Sequence, residues 1–215
     1  MMRGAIFDFD GTVLDSMWIW DEATERWLTE QGNAPVPNLR EETLRMSITE
    51  AAAYLKQIYA LPQATAEIVT EIVRNAQYDY ANRAEAKPGV REFLMRLHRA
   101  GIRACIATAG DRRLVEAGLR HCGLADFFSG IVTCADVGKS KDAPAVYEAA
   151  LRLLGLPKED VAVFEDAYHA AKTAKGAGFR VVGVYDASEP EAEKLRGIAD
   201  FYTVDYQNLD ALLAD

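Results

Sequence analysis

Cysteine is scarce in this chain, and the cysteines form no recognisable pattern. The 215 residues contain three cysteines, which show no paired spacing of the kind that binds metals. An odd number of cysteines is typical of a protein from a reducing compartment. We therefore expect Cys105, Cys122 and Cys134 to be small residues of the hydrophobic core.

Long apolar runs are missing as well. No run reaches the length that spans a membrane. The charged residues Asp8 and Asp10 interrupt the apolar start of the chain, so the N-terminus has no signal-peptide pattern. These two absences predict a cytoplasmic protein.

Basic residues are fewer than acidic residues. The chain has 24 lysines and arginines against 33 aspartates and glutamates, which gives a formal net charge of −9 at pH 7. This charge argues against nucleic acid or an anionic membrane surface as a partner. It does not exclude a small anionic substrate, because a bound divalent cation can reverse the sign of the local charge.

Internal repeats, low-complexity runs and long linkers are absent, and half of the residues are hydrophobic. Such a chain is long enough for one sizeable core and a small second unit. Between residues 16 and 86 the apolar residues recur at helical spacing, whereas helices and strands alternate from residue 87 onwards. We therefore predict an α/β core of residues 1–15 and 87–215, built on a parallel sheet, with an inserted helical domain of residues 16–86.

The pattern predicts the individual elements as follows. Helices are expected at residues 16–31, 39–61 (one or two helices), 65–86, 88–100, 112–122, 144–154, 167–177 and 209–213. Strands are expected at residues 5–7, 102–108, 131–134, 161–164, 181–185 and 201–204. In sheets of this kind ligands collect beyond the carboxyl ends of the strands, so the residues that follow each strand are the candidates for a site.

Two carboxylates follow the first predicted strand. Asp8 and Asp10 come directly after the apolar run Ala5–Phe7. Side chains two positions apart in an extended chain share a face, so the two charges would repel each other. A buried strand end tolerates this crowding only with a cation or a shared proton, and Gly11 allows a sharp turn and a close approach to a ligand. The alternative is a solvated acidic turn.

Polar residues also follow three other predicted strands. They are Thr108 with Ala109, Lys139 with Lys141, and Glu165 with Asp166. The hydroxyl, the backbone amides and a lysine can neutralise phosphoryl oxygens, while carboxylates hold a hard cation such as Mg²⁺. This combination of side chains indicates metal-assisted phosphoryl transfer.

The stretch DFDGTVLDS, which runs from Asp8 to Ser16, resembles the first motif of the haloacid dehalogenase superfamily in its phosphatase form. The resemblance covers essentially the whole chain. It implies a Rossmann-like, three-layer parallel-sheet core with a helical cap. It also implies that Asp8 is a nucleophile that becomes an aspartyl-phosphate, and that Asp10 is a general acid and base.

The resemblance assigns roles at the other strand ends too. Thr108 corresponds to the second motif, whose hydroxyl binds the transferring phosphoryl group, and the amide of Ala109 lies beside it. Glu165 and Asp166 correspond to the fourth motif, where an acid pair holds magnesium. The implied Mg²⁺ ligands are Asp8, the backbone carbonyl of Asp10, and Asp166, with Glu165 in support.

The third motif of the family is a lysine, for which Lys139 and Lys141 are both candidates. Lys141 places Pro144 at its +3 position and Tyr147 at its +6 position, as the motif requires, so we favour Lys141. Some residues depart from the family pattern in positions that shape loops and helix starts. They are Asp142 and Ala145 in the third motif and Ala167 and Ala170 in the fourth.

The helical segment resembles the cap of the β-phosphoglucomutase-like branch. There the mutase has a histidine and an arginine that bind a sugar phosphate. Trp20 falls near the place of the histidine, and the segment Met46–Ile48 lacks the arginine, although Arg45 is one position away. Trp18, Trp20 and Trp27 either pack the cap or, in the case of Trp18, face the substrate.

The sequence therefore predicts magnesium-dependent hydrolysis of a small phosphomonoester, with a small phosphorylated metabolite as partner and a monomer or weak homodimer as the assembly. A sugar phosphomutase is one alternative. A non-catalytic protein that binds a phosphorylated metabolite is another, although such a protein would be expected to lose part of the motif set. Asp10 argues against a dehalogenase or a phosphonatase, because both lack this second aspartate.

Overall fold

The computed structural model describes residues 2–43, 46–207 and 209, and the chain divides into two compact units. Met1–Ser16 and Ala84–Asp215 form the larger unit, and Met17–Arg83 form the smaller one. The smaller unit is thus inserted into the chain of the larger unit. Among the described residues, none of the helices combines the length and the apolar character needed to cross a lipid bilayer.

The larger unit is built on a parallel sheet. Its strands are β1 (Gly4–Phe7), β2 (Leu14–Asp15), β3 (Glu85–Ala86), β4 (Arg103–Thr108), β5 (Phe128–Thr133), β6 (Val161–Glu165), β7 (Arg180–Val184) and β8 (Phe201–Thr203). Six of them form one parallel sheet in the order β5-β4-β1-β6-β7-β8. Strands β1 and β6 are buried along their whole length, as expected for strands covered on both faces. The predicted α/β fold is confirmed.

The smaller unit is helical. Its helices are α1 (Met17–Glu30), α2 (Leu39–Thr43), α3 (Ile48–Ile58) and α4 (Thr65–Asn82). Helix α4 packs against both α1 and α3. Ser47 and Glu50 form a capping box that begins α3. The carboxylate of Asp79 on α4 is fully buried and is bound by the guanidinium groups of Arg26 and Arg83, which supply the partners that a buried charge requires.

The three tryptophans all make contacts within this helical unit. Trp27 is fully buried, and its Nε1 donates to Oε2 of Glu71 at 2.6 Å. The ring of Trp20 meets Tyr80 edge to face, with 6.2 Å between the centroids. The guanidinium of Arg83 lies 4.7 Å from the ring centroid of Trp18. These contacts are the ones expected if the tryptophans pack the unit.

The described residues of the larger unit form six α-helices. They are α5 (Val90–Arg99), α6 (Arg112–His121), α7 (Cys134–Val137), α8 (Ala145–Leu154), α9 (Tyr168–Gly176) and α10 (Ala192–Ile198). Three differ clearly from the prediction, and local backbone geometry explains the first of them. Helix α5 begins at Val90 instead of Pro88, because Gly89 has a φ of 78°, which is outside the helical region. Cys134 begins α7 instead of ending a strand, and helix α10 was not predicted.

The prediction that no strand lies between Val13 and Pro88 was wrong at both ends of this segment. Helix α4 stops at Asn82, and Glu85–Ala86 pairs antiparallel with Leu14–Asp15. A strand of two residues has no periodicity to read, because it exists only through the pairing of two chain segments that meet in space. A helix was also predicted at residues 209–213, but residues 210–213 lie outside the described residues.

A buried ion pair holds the segment after β3 against the end of β7. The ammonium of Lys87 lies 2.5 Å from Oδ2 of Asp186, and both side chains are almost fully buried. The backbone N–H and the hydroxyl of Ser188 donate to the other carboxylate oxygen. Burial opposes the charge of Asp186, but the hydrogen bonds from Lys87 and Ser188 outweigh it and lower the pKa of this carboxyl.

Four aromatic rings pack beneath the carboxyl ends of β1 and β6. Phe7 and Phe164 stack with 4.3 Å between their centroids, and Phe93 and Tyr206 complete the buried group. Phe7 is the residue before Asp8, and Phe164 is the residue before Glu165. The packing of these rings therefore holds in place the two strand ends that carry Asp8 and Glu165.

The turn after β1 brings its backbone very close to a second acidic residue. Gly11 has a φ of 77°, in the left-handed region that glycine adopts without strain. A Cβ at this position would lie 2.3 Å from Oδ2 of Asp166. Gly11 is required here for two separate reasons, which are its conformation and the space taken by Asp166.

Replacement of Gly11 by alanine tests the second reason. Gly101 provides a matched control, because it has a φ of 71° and a Cβ there would meet nothing within 4 Å. We expect Gly101→Ala to lower the free energy of unfolding by about 1 kcal/mol through backbone strain alone. Gly11→Ala must also displace a buried carboxylate, so we expect it to cost at least about 2 kcal/mol more. Urea denaturation of both variants measures the difference, and equal losses would contradict the close approach.

Candidate functional site

The acidic pairs and Thr108 lie at one edge of the sheet. Strands β4, β1 and β6 are adjacent and parallel, so their carboxyl ends face the same side. Asp8 follows β1 directly, Thr108 is the last residue of β4, and Glu165 is the last residue of β6. The backbone N–H of Asp8 donates to the carbonyl of Phe164 at 2.9 Å, which continues the ladder to the site itself.

Lys141 is the cation at this edge. Its Nζ lies 2.5 Å from Oδ1 of Asp8, and 3.0 and 3.1 Å from the two carboxylate oxygens of Glu165. The side chain is buried, whereas the other candidate, Lys139, is exposed. Burial opposes the charge of Lys141, but Asp8 and Glu165 outweigh this effect and hold its pKa well above the usual value. Lys141 therefore stays charged while it bridges two carboxylates.

Three carboxylates at this edge could hold a metal ion. One oxygen from each of Asp8, Glu165 and Asp166 lies within 4.8 Å of the others, and all three residues are buried. Burial and the charge of Asp8 raise the pKa of Asp166 well above its usual value, although the hydrogen bond from Thr12 opposes the rise. Burial and then Asp8 also raise the pKa of Glu165. A set of oxygen donors with this excess of negative charge suits a hard divalent cation.

The two members of the second acidic pair differ in their partners. Both oxygens of Glu165 are bound by the ammonium of Lys141. Asp166 instead accepts a hydrogen bond from the hydroxyl of Thr12, at 2.7 Å from Oδ1. This geometry makes Glu165 the anchor of Lys141 and leaves Asp166 as the carboxylate oriented by the turn after β1.

Thr12 was not singled out from the sequence. It lies in the motif, but its hydroxyl reaches Asp166 over 154 positions of the chain. A threonine two residues after a carboxylate is an ordinary turn residue, so no sequence pattern indicates this contact. The structure adds Thr12 to the candidate site.

Asp10 is held by the residue that precedes helix α1. Ser16 donates its hydroxyl to Oδ1 of Asp10 at 2.6 Å. A Cβ at Gly110 would lie 3.2 Å from both Oδ2 of Asp10 and Oγ1 of Thr108. Asp10 and Thr108 therefore converge on the loop after β4, where the N–H of Gly110 donates to Oγ1 of Thr108 at 2.9 Å.

Ala109 and the three cysteines make none of the contacts described above between the acidic residues, Lys141 and Thr108. Ala109, expected beside the phosphoryl group, is exposed after the end of β4. Cys105, Cys122 and Cys134 are free thiols. Burial raises the pKa of Cys105 to about 12, which makes its thiolate inaccessible as a nucleophile at neutral pH. The polar groups available for chemistry at this edge are thus carboxylates, a hydroxyl and an ammonium.

This chain is similar to proteins of a known family. A family model described as haloacid dehalogenase-like hydrolase matches residues 5–184. Hexitol phosphatase A of Escherichia coli (strain K12) is 30% identical over 187 residues, which cover 85% of this chain and 82% of that protein. The probable pseudouridine-5'-phosphatase of Drosophila melanogaster is 27% identical over 208 residues, which cover 91% of this chain and 90% of that protein.

A solved structure resembles this fold over nearly its whole length. CbbY from Rhodobacter sphaeroides, in complex with phosphate, superimposes with a TM-score of 0.85. The match covers 97% of this chain and 96% of that one, at 25% sequence identity. The match of the family model to most of the chain, together with the relative at 30% identity, establishes that this protein is a member of the haloacid dehalogenase-like hydrolase family.

Proposed function

We propose that this protein hydrolyses a small phosphomonoester by way of a covalent intermediate on Asp8, with magnesium as its metal. The observation that carries the proposal is the buried contact of Lys141 with Asp8 and Glu165, beside Asp166. A purely structural cluster gains little from burying several carboxylates around one ammonium, since each buried ion costs several kcal/mol of desolvation. A divalent cation would balance the excess negative charge of the carboxylates, and Lys141 together with the cation would attract a phosphoryl group.

The first half of the reaction forms an aspartyl-phosphate. A carboxylate oxygen of Asp8 attacks phosphorus while the bond from phosphorus to the leaving oxygen breaks. The carboxyl of Asp10, held by Ser16, donates its proton to the leaving alkoxide. We assign to Lys141 and to the hydroxyl of Thr108 the stabilisation of charge on the equatorial phosphoryl oxygens.

The second half releases inorganic phosphate. Asp10, now a carboxylate, takes a proton from water, and the oxygen of that water attacks the phosphorus of the aspartyl-phosphate. The bond between phosphorus and the Asp8 oxygen breaks, which regenerates the carboxylate of Asp8. Each proton given in the first half is recovered in the second, so Asp10 ends in the state in which it began.

Magnesium suits the donor set. Asp8, Asp166 and the backbone carbonyl of Asp10 would hold it, with Glu165 acting through Lys141. When bound, the cation would orient the phosphoryl group and neutralise its developing charge. Oxygen ligands that include few carboxylates are typical of magnesium sites that share the metal with a phosphate.

The substrate class we propose is a small phosphorylated sugar or a related compound. Support comes from two relatives, which are named hexitol phosphatase A and probable pseudouridine-5'-phosphatase. We propose further that residues 16–86 act as a cap that selects the substrate. A cytoplasmic monomer or weak homodimer, without nucleic acid or membrane as partner, is also part of the proposal, in keeping with the net charge of −9.

A phosphomutase of the β-phosphoglucomutase type is the second candidate. A mutase must hold a sugar with a second phosphate while its aspartyl-phosphate survives, which requires cationic or polar groups in the cap. Trp20 packs against Tyr80, and Ile48 is a half-buried residue that begins α3. Arg45, the nearest arginine to the expected position, lies outside the described residues. The apolar side chains at Trp20 and Ile48 favour hydrolysis.

Loss of the Asp8 carboxylate should abolish turnover. We expect Asp8→Asn to reduce the rate of phosphate release by at least about a thousandfold, because the nucleophilic oxygen is lost. Asp126→Asn, which changes an exposed aspartate in the 3-10 helix Ala125–Phe127, is the matched control and should retain full activity. The measurement is release of inorganic phosphate from a panel of sugar and sugar-alcohol phosphates. A near-normal rate for Asp8→Asn would overturn the assignment.

Activity should depend on magnesium through Asp166. We expect chelation to remove activity and added Mg²⁺ to restore it. Asp166→Asn should need at least about ten times more Mg²⁺ for half-maximal rate and should have a lower maximal rate, because one anionic ligand is lost. The measurement is a titration of rate against Mg²⁺ for both proteins. Full activity under strong chelation would exclude the metal.

Sugar phosphates should be hydrolysed and not isomerised. With β-glucose 1-phosphate, a trace of the 1,6-bisphosphate and Mg²⁺, we expect release of inorganic phosphate to exceed formation of glucose 6-phosphate. The reason is that Trp20 and Ile48 cannot hold a second phosphate as an arginine does. Both products are followed in the same reaction. Isomerisation that is much faster than phosphate release would favour the mutase.

A further inference from the structure

Tyr206 is a buried tyrosine that lies far from the motifs in sequence and next to the site in space. Its ring belongs to the aromatic group under the acidic pairs, with centroids 6.4 Å from Phe7, 5.5 Å from Phe93 and 6.3 Å from Phe164. It thus packs against the residue before Asp8 and the residue before Glu165. One side chain therefore contacts both strands that carry the carboxylates.

The hydroxyl of Tyr206 reaches the turn after β1. It donates to the backbone carbonyl of Thr12 at 3.0 Å, and both groups are buried. The hydroxyl of the same threonine donates to Oδ1 of Asp166 at 2.7 Å. Tyr206 and Asp166 are therefore joined through the two ends of one residue, Thr12.

The backbone of Tyr206 is itself fixed at both sides. Its N–H donates to the carbonyl of Pro88 at 3.0 Å, and its carbonyl accepts from Nη2 of Arg96 at 2.9 Å. A buried phenol with a fixed backbone has little freedom to relax, so the position of its hydroxyl constrains the Thr12 peptide. That constraint is passed to the side chain of Asp166.

We propose that Tyr206 is a positioning residue for the metal-binding carboxylate, and that it acts through Thr12. A hydrogen-bond partner that orients a metal ligand contributes to metal affinity without touching the metal. The inference rests on the proposed function, because it takes Asp166 to be a ligand of the divalent cation. It adds a residue from the C-terminal part of the chain, outside the four motifs, to the machinery of the site.

The variant that tests this is Tyr206→Phe, which keeps the ring and removes the hydroxyl. We expect the Kd for Mg²⁺, measured by calorimetry on metal-free protein, to rise about 3- to 10-fold, because one buried hydrogen bond is lost. We expect Thr12→Val to raise it about 10- to 100-fold, and Thr12→Ser, which keeps the hydroxyl, to retain tight binding.

The double variant shows whether Tyr206 acts through Thr12. If it does, adding Tyr206→Phe to Thr12→Val should change the Kd by less than about twofold, because the contact to Asp166 is already lost. Tyr202→Phe is the control. It removes a phenol hydroxyl from β8, where the ring lies 5.8 Å from the guanidinium of Arg196, and it should bind Mg²⁺ normally.

Two results would overturn the inference. One is a Kd of Tyr206→Phe equal to that of the unaltered protein, with or without a lower melting temperature. The other is a full, additive effect of Tyr206→Phe in the Thr12→Val background. Failure of the unaltered protein to bind Mg²⁺ would overturn the metal site itself and the inference with it, which separates this outcome from the other two. If Thr12→Val does not fold, Tyr206→Phe and Thr12→Ser decide the question.

Discussion

The contact of one buried ammonium with two buried carboxylates governs the organisation of the larger unit. Lys141 lies against Asp8 and Glu165, and Asp166 adds a further carboxylate that the lysine does not reach in the described contacts. Charges out of water are costly unless they are paired and hydrogen-bonded. The surroundings supply this pairing, with Thr12 bound to Asp166 and both oxygens of Glu165 occupied by Lys141. What remains is an excess of negative charge, which is suited to a divalent cation.

The parallel sheet explains why these groups meet. Because β4, β1 and β6 are neighbours that run in the same direction, residues more than a hundred positions apart end at the same edge. The aromatic rings of Phe7 and Phe164 stack directly below that edge and hold together the strand ends that carry the two acidic pairs. The site is therefore a property of strand order and core packing as much as of the motif residues. Electrostatic preorganisation of this kind is a large contribution to catalysis in phosphoryl transfer.

The helical unit contains a buried charge of its own, which is paired within the unit. Asp79 is bound by Arg26 and Arg83, and Arg83 also covers the ring of Trp18. The two connections to the larger unit are made by the paired strands Leu14–Asp15 and Glu85–Ala86. The helical unit is therefore packed internally and joined to the rest of the chain by two segments that pair with each other.

The sequence by itself determined the parallel α/β fold, the helical character of residues 17–83, and the family to which the chain belongs. It did so because apolar periodicity and strand-end chemistry are local and can be read from neighbouring residues. Only the tertiary structure decided that Glu165 anchors Lys141, that Ser16 binds Asp10, and that Tyr206 connects through Thr12 to Asp166. It also decided the two-residue strands β2 and β3. These features depend on contacts between residues distant in the chain, and such contacts leave no periodic trace in the sequence.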